Sequence, residues 1–266
     1  MGELVGGKYE LSDVIGKGKF GLVMKATDTT SKLFAVKFSD SELCIIRHEA
    51  MILNYLNSKK CKNVPLVHWY GIFSGIPCIV ISHYNYSLSN ATSSNTVLID
   101  QMLTIIKNVH DLFVTHRDIK PENFMVNHKN EVVLIDFGLA TFCLEDEIKD
   151  KNNDTTVFTE QSEAKRSKTT FTGNILFASP NIHSLKKARK IDDVISIAYI
   201  YIYLYFKSDL PWIKLKDDEF KLEKIFNLKK IENIESFMDK ATPNIEIVKI
   251  MSFVRRLYNG ILTYSV

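Results

Sequence analysis

The chain reads as an α+β protein in two lobes, a five-stranded antiparallel half carrying one helix followed by a mainly helical half. Three observations predict this. Short runs rich in β-branched and aromatic residues, split by Gly or Thr/Ser clusters, fill the first third. From Val97 onward, apolar residues recur at helical spacing. Between the two lies the polar stretch "SHYNYSLSNATSSNT", which suits a hinge. The length of 266 residues accommodates a single domain spanning 1–266, with an N-lobe at about 1–82, a hinge at about 82–86 and a C-lobe at about 87–266.

Tyr9–Ile15, Leu22–Thr27 and Leu33–Phe38 read as the first three strands, and Leu43–Leu56 as the helix. Leu66–Phe73 and Pro77–Ile81 read as two more strands joined by the Ser74-Gly75 turn. Helices are predicted over Val97–Phe113, Ile191–Phe206, Asp217–Phe226 and Ile245–Tyr264. The charged stretch from Leu144 to Lys168 reads as a long surface loop.

Composition excludes some function classes. With 45% hydrophobic and 24% charged residues the balance is that of a soluble protein, and a net charge of +3 is too small to point to nucleic acid. The four cysteines show no C-x-x-C spacing, which suits reduced thiols in an intracellular protein of the cytoplasm or nucleus. The N-terminus lacks a basic-then-apolar signal pattern, and Gly6 stands where a myristoylation signal after Gly2 wants Ser or Thr. The longest apolar run, Val194–Phe206, is too short to span a bilayer and reads as a buried helix. A soluble monomer without a membrane segment is the expectation.

Four motifs carry chemistry. "GKGKFGLV", Gly16 to Val23, fits G-x-G-x-x-G-x-V. Because it lies between two strands it differs from the dinucleotide fold, which needs a helix after the glycines. Such a hairpin lets backbone N–H groups approach phosphate oxygens. "FAVK" puts Lys37 on a strand that looks largely buried, and a buried ammonium needs a partner. Glu49, on the predicted helix, is better placed for this than Glu42, which lies too near the helix start. "HRDIKPENFM", His116 to Met125, gathers acids, cations and an amide, with Phe124-Met125 anchoring its end in the core. "LIDFGLA" follows, Leu134 to Ala140.

Taken together, G-x-G-x-x-G-x-V, A-V-K, H-R-D-x-x-x-x-N and D-F-G resemble the protein kinases, whose signature set they match in order. The resemblance implies that Ile15, Gly16, Gly18, Gly21, Val23, Ala35, Lys37 and Glu49 form the ATP site. It implies that Asp118 orients the substrate hydroxyl and that Lys120 offsets the charge of the transferring phosphate. A lysine there is similar to the Ser/Thr-specific kinases. Asn123 and Asp136 would be oxygen ligands of Mg²⁺, a hard cation that keeps some waters. His116 has a structural role by the same resemblance, and Arg117 meets either a phosphorylated loop residue or a carboxylate. All three residues whose loss usually silences such a fold, Lys37, Asp118 and Asp136, are present. This favours a catalyst over an inactive scaffold of the same fold.

A finer resemblance is to the casein kinase 1 group, with the vaccinia-related kinases as the nearest rival family. It rests on "TFTGNILFASPNIH", Thr170 to His183, on "KIDDVISIAYIYIYLYFKSDLPW", Lys190 to Trp212, and on "FVRRLYNGI" near the end. It runs from about Tyr9 to Ile261 and implies protein substrates and a bracing role for Asp193. That group carries an arginine in the first stretch, part of a pocket for acidic or phosphate-primed substrates. Leu176 stands there instead. Lys186, Lys187, Arg189 and Lys190 follow, either a solvated surface or a docking patch for acidic protein substrates.

Overall fold

The computed structural model describes residues 3–18, 21–39, 43–90, 96–143, 171, 173–206, 209–215 and 221–266. The expected loop from Leu144 to Lys168 and the start of the helix expected from Asp217 lie outside these residues. The N-lobe is a five-stranded sheet of β1 (Glu10–Gly18), β2 (Gly21–Thr27), β3 (Leu33–Phe38), β4 (Val67–Phe73) and β5 (Ile76–Ser82), in the order β1-β2-β3-β5-β4. All neighbours are antiparallel, and helix α1 (Leu43–Ser58) packs on one face.

Alternation along the strands sorts the two faces. Phe34, Val36 and Phe38 of β3 join Cys78 and Val80 of β5 in a small outer core with Val5 and Tyr9. Ala35, Ile79 and Ile81 face the other way, into the main core shared with Ile46, Ala50 and Leu53 of α1. Lys37 pairs across the sheet with Ile79, so it too projects to the inner face, towards α1 and the space between the lobes.

The C-lobe is built on α2 (Thr96–Asp111), α4 (Lys190–Tyr205) and α7 (Ile245–Tyr258). Helix α4, the longest apolar run of the sequence, is buried almost all round, as a helix without a polar face must be. Trp212 is fully buried against it, edge-on to Tyr199. Short helices α3 (Pro180–His183), α5 (Lys221–Leu228) and α6 (Ile231–Met238) complete the lobe. No helix among the described residues is long and apolar enough to cross a membrane.

Several expectations are corrected. The last helix ends at Tyr258, not Tyr264. Gly260 takes a left-handed φ of 79°, and Ile261 and Gly260 donate back to Arg256 and Leu257, a helix-ending pattern. The chain then folds over the C-lobe, and the Tyr264 hydroxyl meets His110 Nδ1. Helix α6 was not foreseen, being eight residues with a single fully apolar turn of contact. The polar hinge stretch contains a strand, β6 (Tyr86–Ser87), paired to β8 (Phe124–Val126), which pairs in turn with β9 (Val132–Leu134). A second small ladder joins β7 (Val114–Thr115) to β10 (Thr141–Phe142). Met125 does not share the fully buried position of Phe124. It is half-buried and lines the cleft between the lobes.

Candidate active site

The two small ladders position the loop from His116 to Asn123 beside Asp136. Strand β7 leads into that loop and β8 leads out of it, while β9 and β10 flank Asp136-Phe137-Gly138. The Ile135 amide donates to the Asn123 carbonyl at 2.8 Å, tying the segments directly. The loop is held from beneath by Asp193 of α4. One of its carboxylate oxygens accepts from the His116 amide at 2.7 Å and the other from the Arg117 amide at 2.9 Å. These contacts fix a backbone that is strained at Arg117, whose φ is 71°. The His116 ring is fully buried, bonded to the Ile135 carbonyl at 3.0 Å and edge-on to Phe137. It works as packing and as a tie between the segments.

Asp118 projects from this loop, 4% exposed. Its Oδ2 accepts from Lys120 Nζ at 2.6 Å and from Asn123 Nδ2 at 3.1 Å. Asn123 Nδ2 also donates to the Asp118 carbonyl at 2.8 Å, so the amide nitrogen is committed to Asp118. The three residues form one cluster on the C-lobe side.

Lys37 forms the second cluster. Its Nζ lies 2.8 Å from Glu49 Oε2 and 2.6 Å from Asp136 Oδ1. Burial alone would lower its pKa, but the two carboxylates override this and hold the ammonium above the ordinary lysine value. Burial pushes the Glu49 carboxyl up, with Lys37 opposing. Asp136 is half-buried, and burial would raise its carboxyl, yet Lys37 pulls it below the usual range, so it stays an anion. Glu49 Oε1 accepts from the Phe137 amide at 3.2 Å, so α1, β3 and the Asp136 segment meet at one ion-paired triad. His48, the preceding residue, adds a bond to the Ala140 carbonyl at 2.6 Å.

Between the lobes lies a cleft of about 390 Å³. Ile15, Gly16, Val23, Ala35, Lys37, Glu49 and Asp136 line it, together with Ile81 to Tyr84 of the hinge and Ser87, Ser89, Glu122, Met125 and Ile135 below. Of the residues expected there, Gly21 does not line it. A Cβ on Gly21 would lie 1.8 Å from the Phe38 carbonyl, and its φ is 127°, so this glycine serves the turn. Gly18 pairs with Gly21 across the hairpin. Glu49 stands behind Lys37 at 1% exposure and acts on the cleft through it.

The donor set suits a hard cation. The Asp136 carboxylate and the Asn123 amide oxygen offer two oxygens, which leaves the remaining positions of an octahedral Mg²⁺ to phosphate and water. The ammonium of Lys37 beside Asp136 suits phosphate oxygens entering the same space.

Sequence reasoning missed His110, buried with Nε2 3.0 Å from Asp193, and Lys229, fully buried under the segment after Gly173. Lys229 sits in "NLKKIEN", where nothing separates it from a solvated lysine. A family model described as the protein kinase domain matches residues 9–262 of the chain.

Proposed function

The chain belongs to the protein kinase family, and from that membership we propose that it is a Ser/Thr protein kinase of casein kinase 1 type, using ATP and Mg²⁺. The observation that carries this reading is the ion-paired triad of Lys37, Glu49 and Asp136 at the back of a cleft walled by a glycine-bearing hairpin. In the proposal the cleft takes ATP, with Ile15, Val23, Ala35 and Met125 covering the base and Lys37 holding the phosphates. Asp136 and Asn123 would hold Mg²⁺, which when bound would supply positive charge against the phosphates. Asp118 orients and accepts the proton of the incoming hydroxyl. Lys120, ion-paired with Asp118, follows the charge onto the transferring group. Ser/Thr choice is supported by Lys120, and the casein kinase 1 type by the stretches around Leu176 and Trp212. The substrates are acidic proteins met by a monomer in the cytoplasm or nucleus.

The test is transfer from γ-labelled ATP to casein with and without Mg²⁺, followed by phosphoamino-acid analysis. Label is expected on serine and threonine only in the presence of the metal. Asp136→Asn keeps the shape but removes a charged ligand, so transfer should fall on the order of a thousandfold with the fold retained by circular dichroism. Near-normal activity in that variant would remove Asp136 from the metal site, and label on tyrosine would overturn the Ser/Thr assignment.

A further inference from the structure

The segment from Gly173 to Ser179 lies directly on the loop that carries Asp118. A Cβ on Gly173 would sit 2.6 Å from the Arg117 carbonyl and 3.8 Å from Asp118 Oδ1, at a φ of 98°. The far end is pinned by Ser179, whose hydroxyl donates to Asp192 Oδ1 at 2.6 Å. What holds the middle is a lysine from outside the segment. Lys229, which follows α5, is fully buried, and its Nζ donates to the Ile175 carbonyl at 2.9 Å and to the Ala178 carbonyl at 2.6 Å. Trp212 Nε1 donates to the carbonyl between them, Leu176, at 2.8 Å.

No charged group among the described residues pairs with the lysine. Beside it lie His183 Nε2 at 3.1 Å and the rings of Tyr199 and Trp212 at 5.0 and 5.2 Å. Burial drives its pKa well below the ordinary lysine value, and burial with Lys229 beside it takes His183 down to about 3. Two N–H groups of Lys229 go to the carbonyls of Ile175 and Ala178, and His183 Nε2–H donates to the Ile175 carbonyl at 3.1 Å. That tautomer leaves His183 Nδ1, which has no hydrogen-bond partner among the described residues, as a bare acceptor rather than a stranded donor.

We propose that Lys229 is a positioning residue for the protein substrate, holding the 175–178 backbone against Asp118 and turning its carbonyls away from a bound peptide. Lys229 touches no substrate, and the inference rests on the kinase reading above. Lys229 and Trp212 engage three carbonyls, those of Ile175, Leu176 and Ala178, so these do not repel an acidic chain. The cage acts on the peptide side and leaves the ATP cleft alone, since Lys229 and Trp212 do not line it.

The experiment compares wild type with Lys229→Met, which keeps the volume but removes the donors, and Lys229→Gln, which restores two donors and one acceptor without charge. The KM for ATP, the KM and kcat for a casein peptide, and amide hydrogen exchange of residues 174–179 are followed in each. Lys229→Met is expected to raise the peptide KM about tenfold and speed exchange in that segment, with the KM for ATP unchanged. Lys229→Gln is expected to recover most of both. Trp212→Phe, which removes the bond to Leu176 together with part of a buried ring, should shift the same quantities less and guards against a Lys229→Met protein that fails to fold. Unchanged peptide KM and exchange in Lys229→Met would overturn the proposal, as would an equal loss of ATP and peptide binding. If wild type transfers no phosphate, the kinase reading falls, and unchanged exchange in the variants then refutes the hold of Lys229 on its own.

Discussion

At the residue scale, Asp193 shows how far one carboxylate reaches. It receives two catalytic-loop amides and His110 Nε2, and His110 in turn meets the Tyr264 hydroxyl at 2.8 Å. Burial would raise its pKa, but the bonds from His110 and the loop amides prevail and hold it below the usual carboxylate range. A carboxyl depressed in the folded state adds stability that is complete above its unfolded value and lost as pH falls through that value towards the folded one. Asp193→Asn is therefore expected to cost about 3–5 kcal/mol near neutral pH, because amide hydrogens would face backbone N–H groups. Urea denaturation at about pH 7 and about pH 3 checks this, and the gap between the proteins should narrow at the lower pH. An equal gap at both would show that the charge of Asp193 is not its source. Asp193 was legible because its motif is fixed in residue type and spacing. The same holds for Lys37 and Glu49, where a buried ammonium forced the search for a partner. Lys229 was not legible, since what distinguishes it is burial under the rings of Tyr199 and Trp212, 30 and 17 residues away in sequence, and no local pattern encodes that.

At the element scale, the β1–β2 hairpin separates two uses of glycine that look alike in a motif. A Cβ on Gly16 would meet Val23 Cβ at 3.6 Å, an ordinary contact, whereas one on Gly21 would collide with the Phe38 carbonyl. Gly16→Ala should leave the thermal midpoint unchanged and weaken ATP binding, because the added methyl faces the cleft. Gly21→Ala should destabilise the protein by about 2–4 kcal/mol, because β2 and β3 must move apart and a positive φ must be abandoned. Thermal shift with and without ATP and Mg²⁺ reads both. Equal loss of stability in the two variants would count against this division. The five long strands were readable because alternation and turn residues bound them. The two- and three-residue strands β6 to β10 were not, because their pairing is imposed by the loops that they clamp. The end of α7 was written in "YNGI", but the apolar residues beyond Gly260 continue a helical spacing and mask the stop.

At the scale of the whole molecule, what remains is how a chain with a net charge of only +3 selects a protein substrate. The Leu176 side chain packs against the core, its amide donates to Asn174 Oδ1 and its carbonyl accepts from Trp212. It offers no charge to a phosphate and cannot turn to find one. Lys229 is no substitute, being fully buried with its donors committed to carbonyls. Cations do gather nearby. Arg117, Lys186 and Lys187 line a cavity of about 460 Å³, and Arg189 lies at its edge, 3.7 Å from Asp192. Lys186, Lys187 and Arg189 are exposed, so any attraction they exert on an acidic chain is screened by salt. Acidic peptides should therefore be favoured over matched neutral ones by about three- to tenfold in kcat/KM at low salt, and by less as salt rises. A phosphoserine in place of an aspartate should add little, because a primed pocket needs a desolvated, directed cation, and such a bond would contribute about 1.5–3 kcal/mol. The measurement is kcat/KM for neutral, aspartate-containing and phosphoserine-containing peptides at low and high salt. A primed peptide favoured about a hundredfold at high salt would mean that Arg117 and its neighbours close into a buried anion site when substrate binds, and that the loss of charge at Leu176 is compensated there.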